Sequence, residues 1–272
     1  MSQFEPLDPE RHLTHGWKRQ DDYRFAAEDA WAPLLLAELP TALAVYPLAF
    51  APRLRGGHRL VALQGLHQDK NLLVAPSGRW ALGYVPSYYR GYPFSLNRVI
   101  AGGQERQLLC FDHASGLYRE RPQTDQGEQR FFDDQGQPTP LVVKLFGFLK
   151  QCASNQALTD RAVDALEKAG LLTGWTLDVE NPDPARPLLM GLKRIDDQAL
   201  AALDGPTLAE LRDAQALPIA YGQRFSTSRL GVLHKFAQLH AAHAARQTQA
   251  TSTNLDGLFG EGDDDLEFDF DQ

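Results

Sequence analysis

The sequence predicts an α+β fold, with a mainly antiparallel sheet in the first half, helices predominating in the second half, and a disordered acidic C-terminal tail. Short apolar runs separated by Gly, Pro and polar turns occupy residues 45–111, a pattern typical of strands. Apolar residues spaced three and four apart predominate after residue 140. Because strands and helices do not alternate regularly, a parallel doubly wound sheet is disfavoured.

The first half begins with a polar segment, residues 1–24, which we expect to form an arm that winds over the body. Pro33 and Pro40 divide the apolar stripe that follows into short helical pieces, because proline interrupts helical hydrogen bonding. Residues 123–137 are a polar connection. Strands are predicted at residues 45–51, 59–64, 71–75, 99–100 and 107–111.

The second half begins with a long helical pattern. Thr139 can cap this helix, Pro140 suits its first position, and Gly170 ends it. Ser154 and Asn155 interrupt the stripe and indicate either a kink or a break into two helices.

The remaining elements up to residue 247 complete the predicted body. Residues 175–180 and 187–195 flank an Asn-Pro-Asp-Pro sequence and predict a two-stranded hairpin with a long loop. Asp196 is expected to cap a short helix, and Pro206 to open another. Residues 219–247 predict a final helical region, with an interruption near residues 226–228.

Two segments of unequal character therefore compose the chain: an α+β domain at 1–247 and a disordered acidic tail at 248–272. The tail begins with a Ser/Thr-rich spacer, and residues 255–272 carry eight acids and no base. Without those eight, the chain has 27 acids and 27 bases, so the body is neutral. The apolar anchors among the acids are Leu258, Phe259, Leu266, Phe268 and Phe270.

The tail admits two interpretations. Its Leu and Phe side chains would suit an apolar groove with a basic rim on a protein partner, while like charges keep the segment extended. Alternatively, the tail only increases solubility and has no partner.

Composition excludes several other classes. A neutral body lacks the basic face that nucleic acid requires, so no nucleic-acid partner is expected. No apolar run reaches the ~18 residues of a membrane helix, so no membrane insertion is expected. The polar N-terminus lacks a secretory signal pattern, which favours a cytoplasmic location and leaves export without a cleaved signal open. Cys110 and Cys152 are interpreted as reduced structural thiols.

The densest chemical feature is residues 78–94, with six aromatics in 17 positions. Aromatics interleaved with arginines could stack on a planar or sugar ligand while the guanidinium groups hold an anion. The same run could instead cover the edge of a sheet, because a tyrosine can bury its apolar ring while its hydroxyl stays exposed to solvent. The candidate ligand-binding residues are Arg79, Trp80, Tyr84, Tyr88, Tyr89, Arg90, Tyr92 and Asp112.

Signatures of catalysis and of metal binding are weak. The chain lacks the common phosphate-loop, dinucleotide, zinc-protease and nucleophile-elbow motifs. Strand alternation should point Cys110 and His113 to different faces, which disfavours a nucleophilic pair. His240 and His243 share a helix face, but no nearby acid completes a metal set. No catalytic residue, metal or cofactor is therefore predicted.

The chain resembles the SapC family, bacterial proteins associated with surface-layer systems. The resemblance rests on the stretches GRW and YVPSYYRGYPF within residues 78–94, LCFD at 109–112, GLKRID at 191–196 and ALPIAY at 216–221. Together these span about residues 25–240 in the family's order, whereas the tail from residue 248 departs from the family pattern. The resemblance implies an accessory role and offers no catalytic residues that could be assigned to positions of this chain. It also implies that iron- and 2-oxoglutarate-dependent oxygenase-like proteins and outer-membrane receptors are encoded near this protein.

Three functional hypotheses follow. The favoured one is a non-enzymatic accessory or binding protein of a surface-layer or outer-membrane uptake system, which engages a protein partner through its tail. That partner would be similar to the iron/2-oxoglutarate oxygenases. The second is an enzyme without local motifs that acts on a small molecule or peptide at residues 79–94, using Asp112, His113 and nearby tyrosines. The third is a surface component that self-assembles.

Overall fold

The computed structural model describes residues 3–101, 104–181, 183 and 185–259, and it confirms the predicted α+β class. All strand pairs in this part of the chain are antiparallel. The strands are β1 (Phe4–Pro6), β2 (Gly16–Trp17), β3 (Trp31–Pro33), β4 (Leu48–Pro52), β5 (His58–Leu63), β6 (Phe94–Ala101), β7 (Gln104–Asp112), β8 (Tyr118–Arg119), β9 (Gln129–Arg130), β10 (Leu172–Gly174) and β11 (Lys193–Ile195). The helices are α1 (Pro9–His12), α2 (Leu39–Ala42), α3 (Ser87–Arg90), α4 (Pro140–Lys168), α5 (Asp197–Ala201), α6 (Gly205–Asp213), α7 (Ala216–Ser226) and α8 (Leu230–Phe259).

The central sheet has the strand order β10-β11-β4-β5-β3. Strands β4 and β5 are its middle pair, with Leu48 opposite Ala62 and Phe50 opposite Leu60. These four residues and the alternating pair Ala49 and Val61 on the other face are all fully buried, and α4 and α7 contact the two strands. A strand that is covered on both faces has a continuous apolar run, which is why the sequence signal here is strong.

Helix α7 carries polar side chains into this core to bond the sheet. Gln223 accepts from the Ile195 amide (2.9 Å) and donates to the Leu48 carbonyl (3.1 Å), which joins β11 to β4. The Ser226 hydroxyl accepts from the Leu48 amide (2.9 Å). Buried polar groups are tolerated where they are hydrogen-bonded, and here they replace strand pairing at the edge of β4.

Two three-stranded sheets, β1-β7-β6 and β8-β2-β9, surround a second core. Trp17 stacks on Phe131 with ring centroids 5.1 Å apart, and Phe94 and Phe111 meet these rings edge-on. The predicted N-terminal arm supplies β1, α1 and β2 to this region. A Cβ on Gly16 would lie 1.9 Å from the Gln129 carbonyl oxygen, so only glycine permits this close approach of β2 to β9.

Helix α4 is continuous over 29 residues, so it is not broken into two helices at Ser154 and Asn155. The polar residues here are used to attach the Leu36–Glu38 turn of 3₁₀-helix to the helix. Asn155 Oδ1 accepts from the Ala37 amide (3.2 Å), and Thr159 Oγ1 accepts from the Leu36 amide (2.9 Å). The polar residues that interrupt the apolar stripe of α4 therefore mark the place where the Leu36–Glu38 turn is attached to the helix.

Three local predictions are wrong. The segment at 29–44 opens with strand β3 before its helical pieces, because Trp31 to Pro33 pair with the edge of β5. Residues 71–75 form turns and one isolated bridge, from Val74 to Trp80. Asn71 holds these turns through its side chain, which bonds the Ala26 carbonyl and the Leu73 amide.

The third error concerns the hairpin predicted at 175–180 and 187–195. The strands that pair are β10 and β11, with Leu172 opposite Ile195, so the first strand lies earlier than predicted. The caps predicted beyond it are confirmed: Asp196 accepts from two amides at the start of α5. The interruption predicted near 226–228 is also confirmed, as a 3₁₀ turn at Thr227–Arg229 between α7 and α8.

Helix α8 continues past residue 247 and ends at Phe259, so the predicted Ser/Thr-rich spacer at 248–254 is helical in the structure. Leu258 and Phe259 belong to its last turn. Leu266, Phe268 and Phe270 lie outside the described residues, and the assignment of 248–272 as a separate disordered tail stays a prediction. Among the residues described, no helix has the length and apolar character needed to cross a membrane.

Candidate functional site

The aromatic segment at 78–94 divides into side chains that complete the core and side chains that face solvent. The Trp80 indole donates to the Tyr46 hydroxyl (3.1 Å) and to the Tyr84 carbonyl (3.0 Å). The buried Tyr89 hydroxyl donates to Gln64 (2.8 Å), and Tyr92 stacks on Phe25 at 3.9 Å between ring centroids. Trp80, Tyr89 and Tyr92 are therefore structural in this fold.

The other predicted site residues lie in separate places. Arg79 is exposed at a turn, and Tyr88 is exposed in a cleft beside Asp29 and Arg59. Asp112 is buried at the end of β7, where its carboxylate accepts from the amides of Gln3 (2.8 Å) and Ala114 (3.1 Å). Only Tyr84 and Arg90, of the predicted set, share one cleft.

Glu38, at the end of the Leu36–Glu38 turn, organises that cleft. Its side chain is only 5% exposed and its two oxygens accept four hydrogen bonds. Oε1 accepts from the Tyr84 hydroxyl (2.6 Å) and the Ser87 amide (2.7 Å). Oε2 accepts from the Ser87 hydroxyl (2.8 Å) and the Leu35 amide (2.9 Å). A buried carboxylate is stable only when it is bonded in this way.

The cleft lies between this carboxylate cluster and one face of α4, and its volume is about 800 Å³. Residues 84–90 form one wall, with α3 at its centre, and α4 residues 147–158 form the other. Phe148 and Leu158 supply apolar surface on the α4 wall. A cleft with apolar walls and a few convergent polar groups is the usual form of a ligand site.

Two positively charged side chains, Arg90 and Lys150, line the cleft. The Arg90 guanidinium lies 5.5 Å from the Tyr84 ring centroid, 5.4 Å from that of Phe148, and 3.7 Å from Glu38 Oε1. Its side chain remains 45% exposed. Lys150 is exposed and also lines a neighbouring cleft with Arg106. Because Glu38 is buried and the two cations are not, an incoming ligand meets positive charge.

Cys152 lies on the same wall, beside Ser87. Burial is the main factor that raises the pKa of the Cys152 thiol, and the Glu38 carboxylate raises it further. Burial and the hydrogen bond to Glu38 likewise raise the pKa of Tyr84, so its hydroxyl remains a donor at neutral pH. Cys110 is fully buried in β7, and burial raises its pKa as well. Neither thiol has the lowered pKa of an activated nucleophile.

A second polar cluster lies where the N-terminal arm meets the end of β7. The side chains of Glu5, His12 and His113 approach one another, and their metal-ligating atoms are within 4.8 Å. Burial lowers the pKa of His12, which keeps its imidazole neutral at neutral pH. Among the residues that the structure describes, Glu5, His12 and His113 are the three metal-ligating side chains whose positions suit a metal ion.

No prediction from the sequence included Glu38 or this histidine cluster. Glu38 looked like one polar residue in an apolar stripe, and its donors come from residues 46 and 49 positions farther on. The Glu-Pro-Leu-Asp-Pro-Glu-Arg-His run at the N-terminus was the available signal for the other cluster, because it sets an acid and a histidine seven residues apart.

The fold and site define an α+β protein with a cleft between an aromatic segment and a long helix, whose walls are mainly apolar and carry the exposed cationic side chains Arg90 and Lys150. A family model described as SapC matches residues 7–233, and the chain belongs to the SapC family. Comparison with curated proteins and with solved structures gives no match.

We predict that Glu38→Gln lowers the free energy of unfolding by about 1–3 kcal/mol, since the amide cannot accept all four hydrogen bonds. Glu38→Ala should cost more, because it leaves the Tyr84 and Ser87 donors unpaired. Urea unfolding followed by circular dichroism measures both. Glu210→Gln, on the exposed face of α6, is the matched control and should change stability little. Equal stability of Glu38→Gln and the native chain would refute the role given to this carboxylate.

We also predict that Cys152 is alkylated more slowly than glutathione at neutral pH. A raised pKa lowers the thiolate fraction, so the rate should increase only at more alkaline pH than for an ordinary thiol. Iodoacetamide labelling over a pH series, with peptide mass spectrometry, gives the rate at each cysteine. Fully buried Cys110 serves as an internal control and should react more slowly still. Labelling of Cys152 that outpaces glutathione would contradict the assignment.

Proposed function

We propose that this protein is a non-enzymatic binding protein that holds an anionic group of its ligand in the cleft beside Glu38. The observation that carries the proposal is the Arg90 side chain, which stacks between Tyr84 and Phe148 and keeps nearly half of its surface open. A guanidinium held in this way has lost much of its rotamer freedom before the ligand arrives, so less entropy is lost on binding.

The charge of the cleft supports an anionic ligand. Glu38 uses its oxygens on four neutral donors inside the protein, so it is not available to a ligand cation. Arg90 and Lys150 remain as exposed donors on opposite walls. A carboxylate or phosphate can accept two parallel hydrogen bonds from arginine and a third from lysine. An apolar body attached to that group would contact Phe148 and Leu158.

The enzyme hypothesis has less support. Its candidate acids and bases, Asp112 and His113, lie in the second polar cluster at the end of β7, apart from the cleft that holds Arg90 and Tyr84. Asp112 is committed to two backbone amides. In the cleft itself, Glu38 is saturated with donors and the pKa of Cys152 is raised. General acid–base or nucleophilic chemistry needs a group with a suited pKa and a free position, and these groups do not provide one.

Family membership supports an accessory role in a bacterial surface-layer or outer-membrane uptake system, and we propose that the protein performs it in the cytoplasm. The protein partner would present an apolar groove with a basic rim to the acidic tail, and an iron/2-oxoglutarate oxygenase-like protein is the candidate that the family resemblance implies. The eight acids and the Leu and Phe anchors of residues 255–272 support this part of the proposal.

The cleft is tested with citrate and a triglutamate peptide as anionic probes. We expect the native chain to bind at least one of them, and Arg90→Ala to weaken the affinity about tenfold, because one charge-assisted contact is lost. Lys150→Ala should have a smaller effect, and added salt should weaken binding. Isothermal titration calorimetry gives the affinities, and circular dichroism verifies that each variant is folded.

Arg79→Ala is the matched control, since Arg79 is exposed on the same segment and lies outside the cleft. It should leave the affinity for both probes unchanged. The proposal fails if the native chain binds neither probe, or if Arg79→Ala and Arg90→Ala reduce binding equally.

The tail is tested by comparing the full chain with a chain that ends at Gln247 as bait in host-cell lysate. We expect a protein recovered by the full chain to be lost with the shorter one. A variant with Leu266→Ser, Phe268→Ser and Phe270→Ser keeps every acid, so loss of the partner there assigns binding to the apolar anchors. Identical recovery by all three baits would remove the tail from the proposal.

A further inference from the structure

The N-terminal arm places two of its side chains against the turn that follows β7. Glu5 lies in β1, His12 ends α1, and His113 begins the 3₁₀ turn at His113–Ser115. The pairing of β1 with β7, with Phe4 opposite Asp112, brings these three elements together. Glu5 and His12 both belong to the arm and His113 lies far along the sequence, yet the ligating atoms of the three residues lie within 4.8 Å of one another.

His113 provides the first independent sign of a ligand. Its Nε2 atom is buried and has no hydrogen-bond partner in the structure. Its ring lies 5.8 Å from the His12 ring and 4.2 Å from the Tyr118 ring, between centroids. A buried polar atom without a partner destabilises the fold, so a group that satisfies it would stabilise the protein.

His12 is held as a metal ligand needs to be. The side chain is 2% exposed, and its Nδ1 lies 3.1 Å from the Asp8 carbonyl oxygen and 3.0 Å from the Asp8 amide. When Nδ1 carries the proton, it donates to that carbonyl and leaves the lone pair of Nε2 free. Ligating histidines are usually oriented in this way, by a bond from the other ring nitrogen to a backbone oxygen.

Glu5 has oxygen lone pairs to spare. One oxygen accepts from the Gln3 side chain (3.0 Å), and the Arg11 guanidinium lies 3.6 Å from the other. A carboxylate has about four acceptor positions, so these two contacts leave room for a third. The carboxylate would also balance part of the charge of a divalent ion.

We propose that Glu5, His12 and His113 form a binding site for one divalent transition-metal ion of the zinc type. Two imidazoles and one carboxylate are a recurrent ligand set for such ions, and water completes the coordination. Imidazole ligands disfavour Mg²⁺ and Ca²⁺, which take oxygen donors. Ligands of a single Zn²⁺ lie about 3.3 Å apart, so binding needs only a small contraction of this cluster.

The ion would fasten the arm to the body. It would join β1 and α1 to the turn after β7 across the aromatic core of Trp17, Phe111 and Phe131. A ligand that binds only the folded state raises the free energy of unfolding, so the metal would stabilise this half of the protein. This inference is independent of the anion cleft, which uses none of the three ligands.

The test titrates the full-length, metal-free chain with Zn²⁺ and Co²⁺. We expect one equivalent of Zn²⁺ to bind, a rise in the unfolding temperature, and the visible absorption of Co²⁺ in a low-symmetry site. His113→Ala and Glu5→Gln should each weaken the affinity by about 100-fold or more, since even loss of a group that orients a ligand costs about 10–100-fold. Glu5→Gln is nearly isosteric at a half-buried position, so it keeps the test valid if His113→Ala unfolds.

His240→Ala is the matched control. This histidine lies in α8, and its Nε2 contacts the Leu72 carbonyl at 3.0 Å. It should leave metal stoichiometry and affinity unchanged. The proposal is overturned if the native chain binds no Zn²⁺ or Co²⁺, or if folded Glu5→Gln and His113→Ala bind as the native chain does.

Discussion

The burial of the Glu38 carboxylate is the constraint on which the candidate site depends. A carboxylate in the interior must have its lone pairs satisfied, and four donors from three residues, Leu35, Tyr84 and Ser87, supply those bonds. Because Tyr84 and Ser87 point at Glu38, the chain between them runs along the cleft wall and starts α3. Arg90 at the end of α3 is thereby placed over the cleft. One buried charge thus sets the position of an exposed opposite charge.

The aromatic segment serves two purposes because its residues alternate between the interior and the surface. Trp80 and Tyr89 form hydrogen bonds with other buried groups. Trp80 packs against the central core and also against a small cluster formed by Tyr89, Ala26 and Ala32. Tyr84 has an intermediate position: its hydroxyl bonds Glu38 while its ring faces Arg90. A tyrosine can do both, since its ring is apolar and its hydroxyl is polar. The structural and ligand-binding interpretations of this segment are therefore compatible.

The second core has a different origin from the central one. Its Trp and Phe residues come from the arm, from β6 and β7, and from the connection before α4, and no single element could bury them alone. The arm therefore has to fold back, and it carries charged and imidazole groups with it. That requirement brings Glu5 and His12 to His113, which accounts for a cluster of ligating atoms beside an aromatic core.

Local patterns in the sequence determined the class of fold, strands β4 to β7, the start of α4 and the Asp196 cap, because apolar periodicity, helix capping and proline act over a few residues. Short sequence stretches also determined the family. They also indicated Arg90 and Tyr84 as candidate ligand-binding residues. Tertiary structure alone decided that β3 joins the sheet, that α4 stays unbroken, that Glu38 is buried and that His12 meets His113. Each of these depends on partners tens of residues or more away, which no local pattern records.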